Sequence, residues 1–139
     1  MNKQVLVFKI CNDEFGLDID NITQIITPVE STFIPDAPDY MEGVINFLDS
    51  VYVLINVRKK FGFPDKEQDE ATRIVIVEKD KVKAGLIVDE AYNIISIDTI
   101  EGKPASSEIR EKYGANVKSV IEKNNKEILL LDLDRFFQI

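Results

Sequence analysis

The sequence predicts an all-β protein, because about nine or ten short strand-like segments follow one another along the chain. Turn-forming residues separate these segments at intervals of about 8 to 12 residues. Strands and helices do not alternate regularly, which argues against a parallel α/β sheet. The length fits two small barrels that share an interface or one larger sandwich, and hydrophobic periodicity favours neither.

The first predicted element is a β-hairpin. Residues 5–10 are apolar on both faces and rich in β-branched and aromatic side chains, as in a buried strand. Residues 15–20 alternate apolar and polar side chains, as in a strand with one solvated face. Residues 12–14 supply turn chemistry between them. We therefore expect residues 4–19 to form a hairpin.

Two helical turns are predicted next. Isoleucines recur at helical spacing within residues 22–26, behind Asp20 or Asn21 as a cap, and Pro28 would end that turn. Residues 38–42 are expected to form a second turn, which the following glycine would end.

A second hairpin is expected in the middle of the chain. Residues 44–47 and 51–55 have strand-like composition and are joined across residues 48–50. Leu48 is unusual in that position, because a turn is normally solvated. Residues 63–71 are polar and acid-rich and are expected to form a flexible loop.

The second half of the chain repeats this style. A charged turn at 78–81 separates two strand-like segments, and Asn124 with Asn125 separates two more. A short helix is expected within a long loop, at residues 107–113. Strands are predicted at 73–77, 82–88, 92–97, 117–121 and 127–131.

A short helix is predicted at the end of the chain. Asp132 or Asp134 would cap it, and Phe136 and Phe137 would lie on it.

Length and composition indicate one globular domain. The chain has 139 residues, of which 45% are hydrophobic and 30% charged. Its single cysteine, Cys11, excludes an internal disulfide and is expected to be a small core residue. The sequence shows neither a signal peptide nor an apolar run long enough to span a membrane, so we expect a cytoplasmic protein without direct membrane insertion.

The net charge of −8 argues against a protein that binds nucleic acid by neutralising phosphates. The acids are unevenly distributed, because nine of them and no lysine or arginine lie between Ile10 and Val57. An acidic surface of this kind aids solubility. It is also able to steer a basic partner.

The residues of catalytic chemistry are scarce. The chain has no histidine, which removes the commonest general base and metal ligand, and no glycine-rich phosphate loop. Among its 25 acids, pairs such as Asp13 with Glu14 and Asp89 with Glu90 are expected from composition. We therefore expect a binding protein that is not an enzyme and has no metal or cofactor. An enzyme that uses the scattered carboxylates is the alternative, and it would need two acids converging in one cleft.

The order of segments resembles one family. "VFKICNDEFGLDIDNITQII", "IPDAPDYMEGVINF" and "VLINVRKKFG" are followed by "TRIVIVEKDKVKAGLIVDEAYNIISI" and "EILLLDLDRFF". Each motif is weak alone, but together they resemble the CheW family of chemotaxis coupling proteins over about residues 4–137.

The resemblance implies a fold and a function. The fold would be a single domain, residues 1–139, made of two intertwined five-stranded SH3-like β-barrels with short helical turns and a short C-terminal helix. The function would be that of a non-enzymatic scaffold or adaptor that couples chemoreceptor cytoplasmic tips to the regulatory domain of a CheA-type histidine kinase. The alternative is a CheW-like module recruited to a different signalling partner through the acidic first half.

The resemblance also implies partner-binding residues, because an apolar groove between the barrels would take the receptor's helical hairpin. Carried over by position, they are Ile22, Gln24, Ile25, Asn46, Leu48, Asp49, Ile74, Ala91 and Ile94.

The chain departs from the family pattern within this set. The family usually has "NLRG" where this chain has residues 46–49, so Leu48 replaces an arginine and Asp49 a glycine. Gln24 stands where the family usually has a glutamate. The family also commonly has "PVIDL" where this chain has residues 53–57. The family's arginine and glutamate are near enough to pair, and here Leu48 and Gln24 replace both. Because neither charge is left without its partner, the fold is expected to survive while receptor recognition changes.

Overall fold

The computed structural model describes residues 2–137, so the ends of the predicted domain, Met1 and residues 138–139, lie outside it. Ten strands dominate the chain, which confirms the all-β prediction. The strands are β1 Asn2–Ile10, β2 Asp13–Asp18, β3 Ile22–Ile26, β4 Met41–Phe47, β5 Ser50–Asn56, β6 Arg73–Lys79, β7 Val82–Val88, β8 Glu90–Asp98, β9 Val117–Lys123 and β10 Lys126–Leu131. The α-helices are α1 Val57–Lys60, α2 Ser107–Tyr113 and α3 Leu133–Phe136, and 3-10 turns lie at Ile19–Asn21, Thr99–Glu101 and Gly114–Asn116.

The strands form two separate five-stranded sheets, in two compact units. Unit 1 comprises Met1–Ile19 and Tyr92–Ile139, and unit 2 comprises Asp20–Ala91. One sheet has the order β8-β1-β2-β10-β9, and the other has the order β3-β6-β7-β5-β4. Because each five-stranded sheet belongs to its own compact unit, the structure favours the pair of small barrels over the single sandwich.

The sheet of unit 1 is held by an apolar cluster. Its buried members come from β1, β8, β9 and β10 and are Val5, Val7, Ile97, Ile121, Ile128 and Leu130. Gly16 of β2 makes room for this cluster, because a Cβ there would lie 2.9 Å from Cδ2 of Leu130. A glycine inside a strand usually marks such a close approach.

Unit 2 has an equivalent cluster, formed by Ile45, Tyr52, Leu54, Ile74 and Ile76. Partly buried Ile26, Phe47 and Ile87 pack against it. Gly85 of β7 takes the role of Gly16, since a Cβ there would lie 2.9 Å from Cγ2 of Ile74.

Aspartate 13 anchors the long loop of unit 1. The hydroxyl of Tyr113, at the end of α2, donates a hydrogen bond to its carboxylate, and Lys112 Nζ lies 2.8 Å from Oδ2. The Tyr113 ring is buried and packs edge-on against Phe15, with 5.1 Å between ring centroids. Burial, with a smaller contribution from Asp13, raises the pKa of Tyr113 far above its usual value.

The helical turn predicted at residues 22–26 is wrong, because these residues form β3. A five-residue segment cannot sustain a helix alone, whereas β6 offers it backbone hydrogen bonds. Its β-branched residues suit a strand, and Ile26 packs on the core of unit 2. The capping Asp20 lies instead in the preceding 3-10 turn.

The helical turn predicted at residues 38–42 is also wrong. The N–H of Met41 does donate to the carbonyl of Pro38 at 2.9 Å, but β4 then begins. Gly43 does not end a helix. It sits beside a β-bulge with φ 147°, where a Cβ would lie 2.3 Å from the carbonyl oxygen of Thr32.

Cys11 is not a core residue. It occupies the β1–β2 turn with φ 55° and is partly exposed. Helix α1 was not predicted, although Asn56 caps it by accepting a hydrogen bond from the N–H of Lys59 at 3.1 Å. The predicted helix at 107–113 and the terminal helix capped by Asp132 are confirmed, but the terminal helix ends at Phe136, and Phe137 is its C-cap.

Candidate functional site

The hairpin formed by β4 and β5 carries the clearest candidate surface. Phe47 pairs with Ser50, so the connection has only two residues, Leu48 and Asp49. Both have positive φ, 48° and 61°. Two consecutive left-handed residues define the type I′ turn that matches the twist of a hairpin. Glycine, asparagine and aspartate favour such positions, so Asp49 suits the turn and Leu48 does not.

The tip of this hairpin exposes apolar surface. Leu48 is 69% exposed and Val51 58%, and Asn46 and Asp49 are also exposed. Phe47 is different, because it packs on the core of unit 2 and makes an edge contact with Tyr52.

Strand β7 supports the start of β5. The two strands are parallel, with Val53 beside Ala84. Lys83 Nζ donates to Oγ of Ser50 at 3.0 Å, and Val82 is 40% exposed. The register places Val82 and Val51 at the same level of neighbouring strands. We call Leu48, Val51 and Val82 the hairpin patch.

Strand β3 lies at the edge of the same sheet. Ile22 pairs with Val77, which pairs with Ala84, so the start of β3 lies at the same end of the sheet as the hairpin tip. Ile22 and Ile25 are partly exposed, and Gln24 is exposed.

The remaining predicted residues are placed differently. Ile74 is fully buried in the core of unit 2, so it supports the surface from beneath and its side chain is not available to a partner. Ala91 is partly exposed at the start of β8. Ile94 is 55% exposed further along β8, in unit 1.

A second, polar feature of unit 2 was not predicted. Arg58 forms a bidentate ion pair with Asp89, with nitrogen–oxygen distances of 2.7 and 2.6 Å, and its Nη1 donates to the carbonyl of Pro64. Arg58 and Asp89 line a cavity of about 430 Å³ together with loop residues 65–68. The RKK run at residues 58–60 indicated only positive charge in the sequence. The pairing of Arg58 with Asp89 depends on tertiary contacts that the sequence does not show.

Asn56 links two carboxylates beside this cavity. Its Nδ2 donates to Oε1 of Glu42 at 3.0 Å and to Oδ1 of Asp65 at 3.1 Å. The hydrogen bond from Asn56 is the main cause that lowers the pKa of Asp65. Lys59 lies 3.2 Å from Glu42, and that hydrogen bond is the main cause that raises the lysine's pKa. The group holds the loop by complementary charge.

Of the adjacent acid pairs, Asp13, Glu14 and Asp89 have structural partners, and Asp132 has one as well. Asp13 holds α2, Asp89 pairs with Arg58, and Asp132 caps α3. Glu14 accepts a hydrogen bond from the hydroxyl of Tyr92 and lies 3.6 Å from Lys126 Nζ.

Neither a membrane-spanning helix nor a metal-binding cluster occurs in residues 2–137. Across residues 2–137, no helix is long and apolar enough to cross a membrane. Over the same residues, no group of three or more histidine, cysteine or acidic side chains could hold a metal ion.

Two five-stranded sheets, an exposed apolar hairpin tip and acids engaged in structural contacts define a protein-binding module. The CheW-like domain model matches residues 4–139. The chain therefore belongs to the CheW-like domain family, which confirms the resemblance read from the sequence.

Named relatives agree with this assignment. The chemotaxis protein CheW of Thermotoga maritima is 28% identical, over 97% of this chain and 87% of its own. That of Bacillus subtilis is 25% identical, over 94% and 83%. The crystal structure of the scaffolding protein TtCheW from Thermoanaerobacter tengcongensis matches with a TM-score of 0.89 and 31% identity, over 100% of this chain and 90% of that one.

These relatives confirm two predictions. The fold is the CheW fold of two five-stranded SH3-like barrels. The function is that of a chemotaxis coupling adaptor, and recruitment to an unrelated partner through the acidic first half is not favoured.

Proposed function

We propose that the chain is a non-enzymatic adaptor that joins the cytoplasmic tip of a chemoreceptor to the regulatory domain of a CheA-type histidine kinase. The observation that carries this proposal is the family match over residues 4–139, together with a scaffolding protein that shares the fold along the whole chain. The role places the chain in the cytoplasm, where receptor tips and kinase meet. The two units would act as subdomains of one domain and unfold in one cooperative transition.

The receptor-binding surface would be built on unit 2. Its exposed and partly exposed members there are Ile22, Gln24, Ile25, Asn46, Leu48, Asp49 and Ala91, and Ile94 of unit 1 is proposed as a partner contact in its own right. Helical hairpins dock by apolar anchors spaced along one face, and the apolar members of this set supply complementary surface. Asn46 and Gln24 would contribute neutral hydrogen-bonding groups where the partner's surface becomes polar.

Titration tests the proposal. The chain is titrated by calorimetry with a chemoreceptor cytoplasmic tip fragment and, separately, with a CheA-type regulatory domain. We expect dissociation constants in the micromolar range for both, about −8 kcal/mol of binding free energy. Absence of binding to either partner at about 100 µM would overturn the proposal, because a coupling adaptor must hold each of them.

A pair of variants locates the receptor surface. Ile22→Asp places a charge in the proposed apolar contact and is expected to weaken receptor binding about tenfold or more. Ile100→Asp is the matched control, since Ile100 is 81% exposed and lies outside the proposed surface. Equal losses for both variants would contradict the placement. If Ile22→Asp loses its folded circular dichroism, Gln24→Lys at an exposed site replaces it.

A further inference from the structure

The hairpin at the end of unit 2 has a counterpart in unit 1. β9 and β10 are joined by Asn124 and Asn125, with φ 53° and 64°, and Lys123 pairs with Lys126 across the turn. Leu48 and Asp49 have nearly the same angles, and Phe47 and Ser50 pair in the same way. The two tips are therefore the same backbone structure with different side chains.

The unit 1 tip shows what solvent and backbone geometry favour. Its six residues, 122–127, are all polar and all exposed. Asparagine tolerates the left-handed region because its short polar side chain bonds locally, so neither turn residue is costly. This hairpin is built for solvation.

The unit 2 tip departs from that solution twice. Leu48 holds a left-handed backbone that disfavours its side chain, and it exposes 69% of its surface to water. An asparagine would remove both disadvantages, as the unit 1 tip demonstrates. A strained residue held in an exposed position is a marker of function. Leu48 is thus better suited to contact with a partner than to exposure to water.

The surroundings of Leu48 define what that contact accepts. Val51 and Val82 add exposed apolar surface at the same end of the sheet. Asp49 places an exposed acid directly beside Leu48, within a span from Ile10 to Val57 that has no lysine or arginine. Lys83, the lysine near this tip, has its Nζ 3.0 Å from Oγ of Ser50, so a partner carboxylate placed against Leu48 would lose water beside the like charge of Asp49. An apolar side chain would instead bury the hairpin patch.

We propose that Leu48 is the specificity-determining residue of the receptor surface, and that it selects a chemoreceptor tip with an apolar side chain, not a carboxylate, at the point of contact. This inference rests on the proposed function. Leu48 supplies an apolar anchor, and Asp49 beside it acts against tips that carry an acid there. Specificity then comes from attraction and repulsion together.

The test uses Leu48→Asn, which copies the unit 1 turn. The variant is expected to raise the melting temperature by about 3 °C, since the backbone strain is relieved. It is expected to lower affinity for the chemoreceptor tip fragment about tenfold or more, since the apolar anchor is gone. Affinity for the kinase regulatory domain should stay unchanged. A loss of stability cannot explain weaker binding by a protein that has become more stable.

The matched control is Asn124→Leu, which places the same strained leucine on the other tip. It should lower the melting temperature and leave receptor affinity unchanged.

Leu48→Arg with Asp49→Gly restores the family's NLRG-type turn and should shift preference toward a tip fragment that binds NLRG-type relatives. Wild-type affinity in Leu48→Asn would overturn the inference alone. Failure of the wild-type chain to bind any tip fragment would instead remove the proposed function, and this inference with it.

Discussion

Residues 41–61 and 117–137 form the same structure in the two units, and their differences separate what the fold needs from what the surface does. Each segment is a hairpin followed by a short capped helix. Each first strand carries a β-bulge, between Met41 and Gly43 in one and opposite Leu130 and Leu131 in the other. Each second strand runs parallel to a central strand of its sheet.

Equivalent positions agree where they face the core. Leu54 and Leu130 each lie against a strand glycine, Gly85 or Gly16, and both leucines are buried. The helix caps also agree, since Asn56 and Asp132 both accept a hydrogen bond from the third residue beyond. Core and cap are constrained by burial and by unsatisfied backbone N–H groups, so both units solve them in the same way.

Equivalent positions disagree where they face solvent. Tip residues 122–127 are polar and exposed in unit 1, whereas the unit 2 tip exposes the apolar residues Leu48 and Val51. Lys126 reaches Glu14 in unit 1, whereas Lys83 reaches Ser50 in unit 2, so the cross-strand contact is kept while the charge changes position. The difference shows that the hairpin is a common support whose tip is free to specialise.

The largest contrast between the two segments is expected at the bulge. Gly43→Ala should cost about 3 kcal/mol of unfolding free energy, because φ is positive and the new Cβ would meet a backbone oxygen at 2.3 Å. Ser119, at the equivalent place before the bridge with Lys103, already carries a Cβ, so Ser119→Ala should cost less than about 1 kcal/mol. Urea unfolding measures both. Equal costs would show that the positive φ and close backbone approach at Gly43 do not limit the residue there.

The strand glycines offer a finer comparison. Gly16→Ala and Gly85→Ala each overpack a core and should cost about 1–3 kcal/mol. At Gly85 the atom nearest to the new Cβ is Cγ2 of the stiff β-branched Ile74, at 2.9 Å. At Gly16 it is the flexible end of Leu130, at 2.9 Å, and the β-branched Ile128 lies further away, at 3.1 Å. Gly85→Ala should therefore be the more destabilising variant in thermal unfolding. The reverse order would show that unit 1 is the more tightly packed unit.

The smallest expected difference concerns the caps. Asn56→Ala and Asp132→Ala should each cost about 1 kcal/mol at neutral pH through loss of the cap. Only Asn56→Ala should also raise the pKa of Asp65, which is lowered from its usual 3.8 chiefly by the Asn56 hydrogen bond. A carboxyl whose pKa is lowered by folding stabilises the folded protein at pH values above its usual pKa. This contribution is lost as the pH falls through the pKa of the carboxyl in the folded state.

The loss of unfolding free energy caused by Asn56→Ala should therefore become smaller below about pH 4. Asp132→Ala does not remove a hydrogen bond to Asp65, so protonation of Asp65 should not change its cost. A pH titration of the Asp65 carboxyl followed by NMR checks the cause directly. An unaltered Asp65 titration in Asn56→Ala would show that Lys59 and the Lys66 backbone N–H maintain the low pKa alone.

Much of the fold could be predicted because buried strands leave short apolar runs rich in β-branched residues, bounded by turn residues. β6, β7, β9 and β10 were expected within two residues of their observed ends, and the caps of α2 and α3 follow from ordinary sequence rules. β3 was mistaken for a helix because five residues satisfy both periods. The neighbouring strand β6 decided the matter by offering hydrogen bonds.

The candidate site was only partly predictable for a similar reason. The sequence indicated that Leu48 stands in a turn, and the structure places it in the left-handed region with most of its surface exposed. Ile74 was expected on the surface, but its side chain lies in the core. The sequence does not show which face of a strand an isoleucine occupies. The Arg58–Asp89 pair joins residues 31 positions apart, which no local pattern specifies.

By itself, the sequence determined the strand-rich class, the caps, the turn positions and the family, since these depend on local pattern and segment order. Tertiary structure decided which isoleucines are buried, which strand pairs β3, and how alike the two hairpins are. Those features depend on contacts between distant residues, whose burial and hydrogen bonding exist only once the sheets have formed. The meaning of Leu48 depended on both, because its strain and exposure are visible only beside the solvated turn at Asn124.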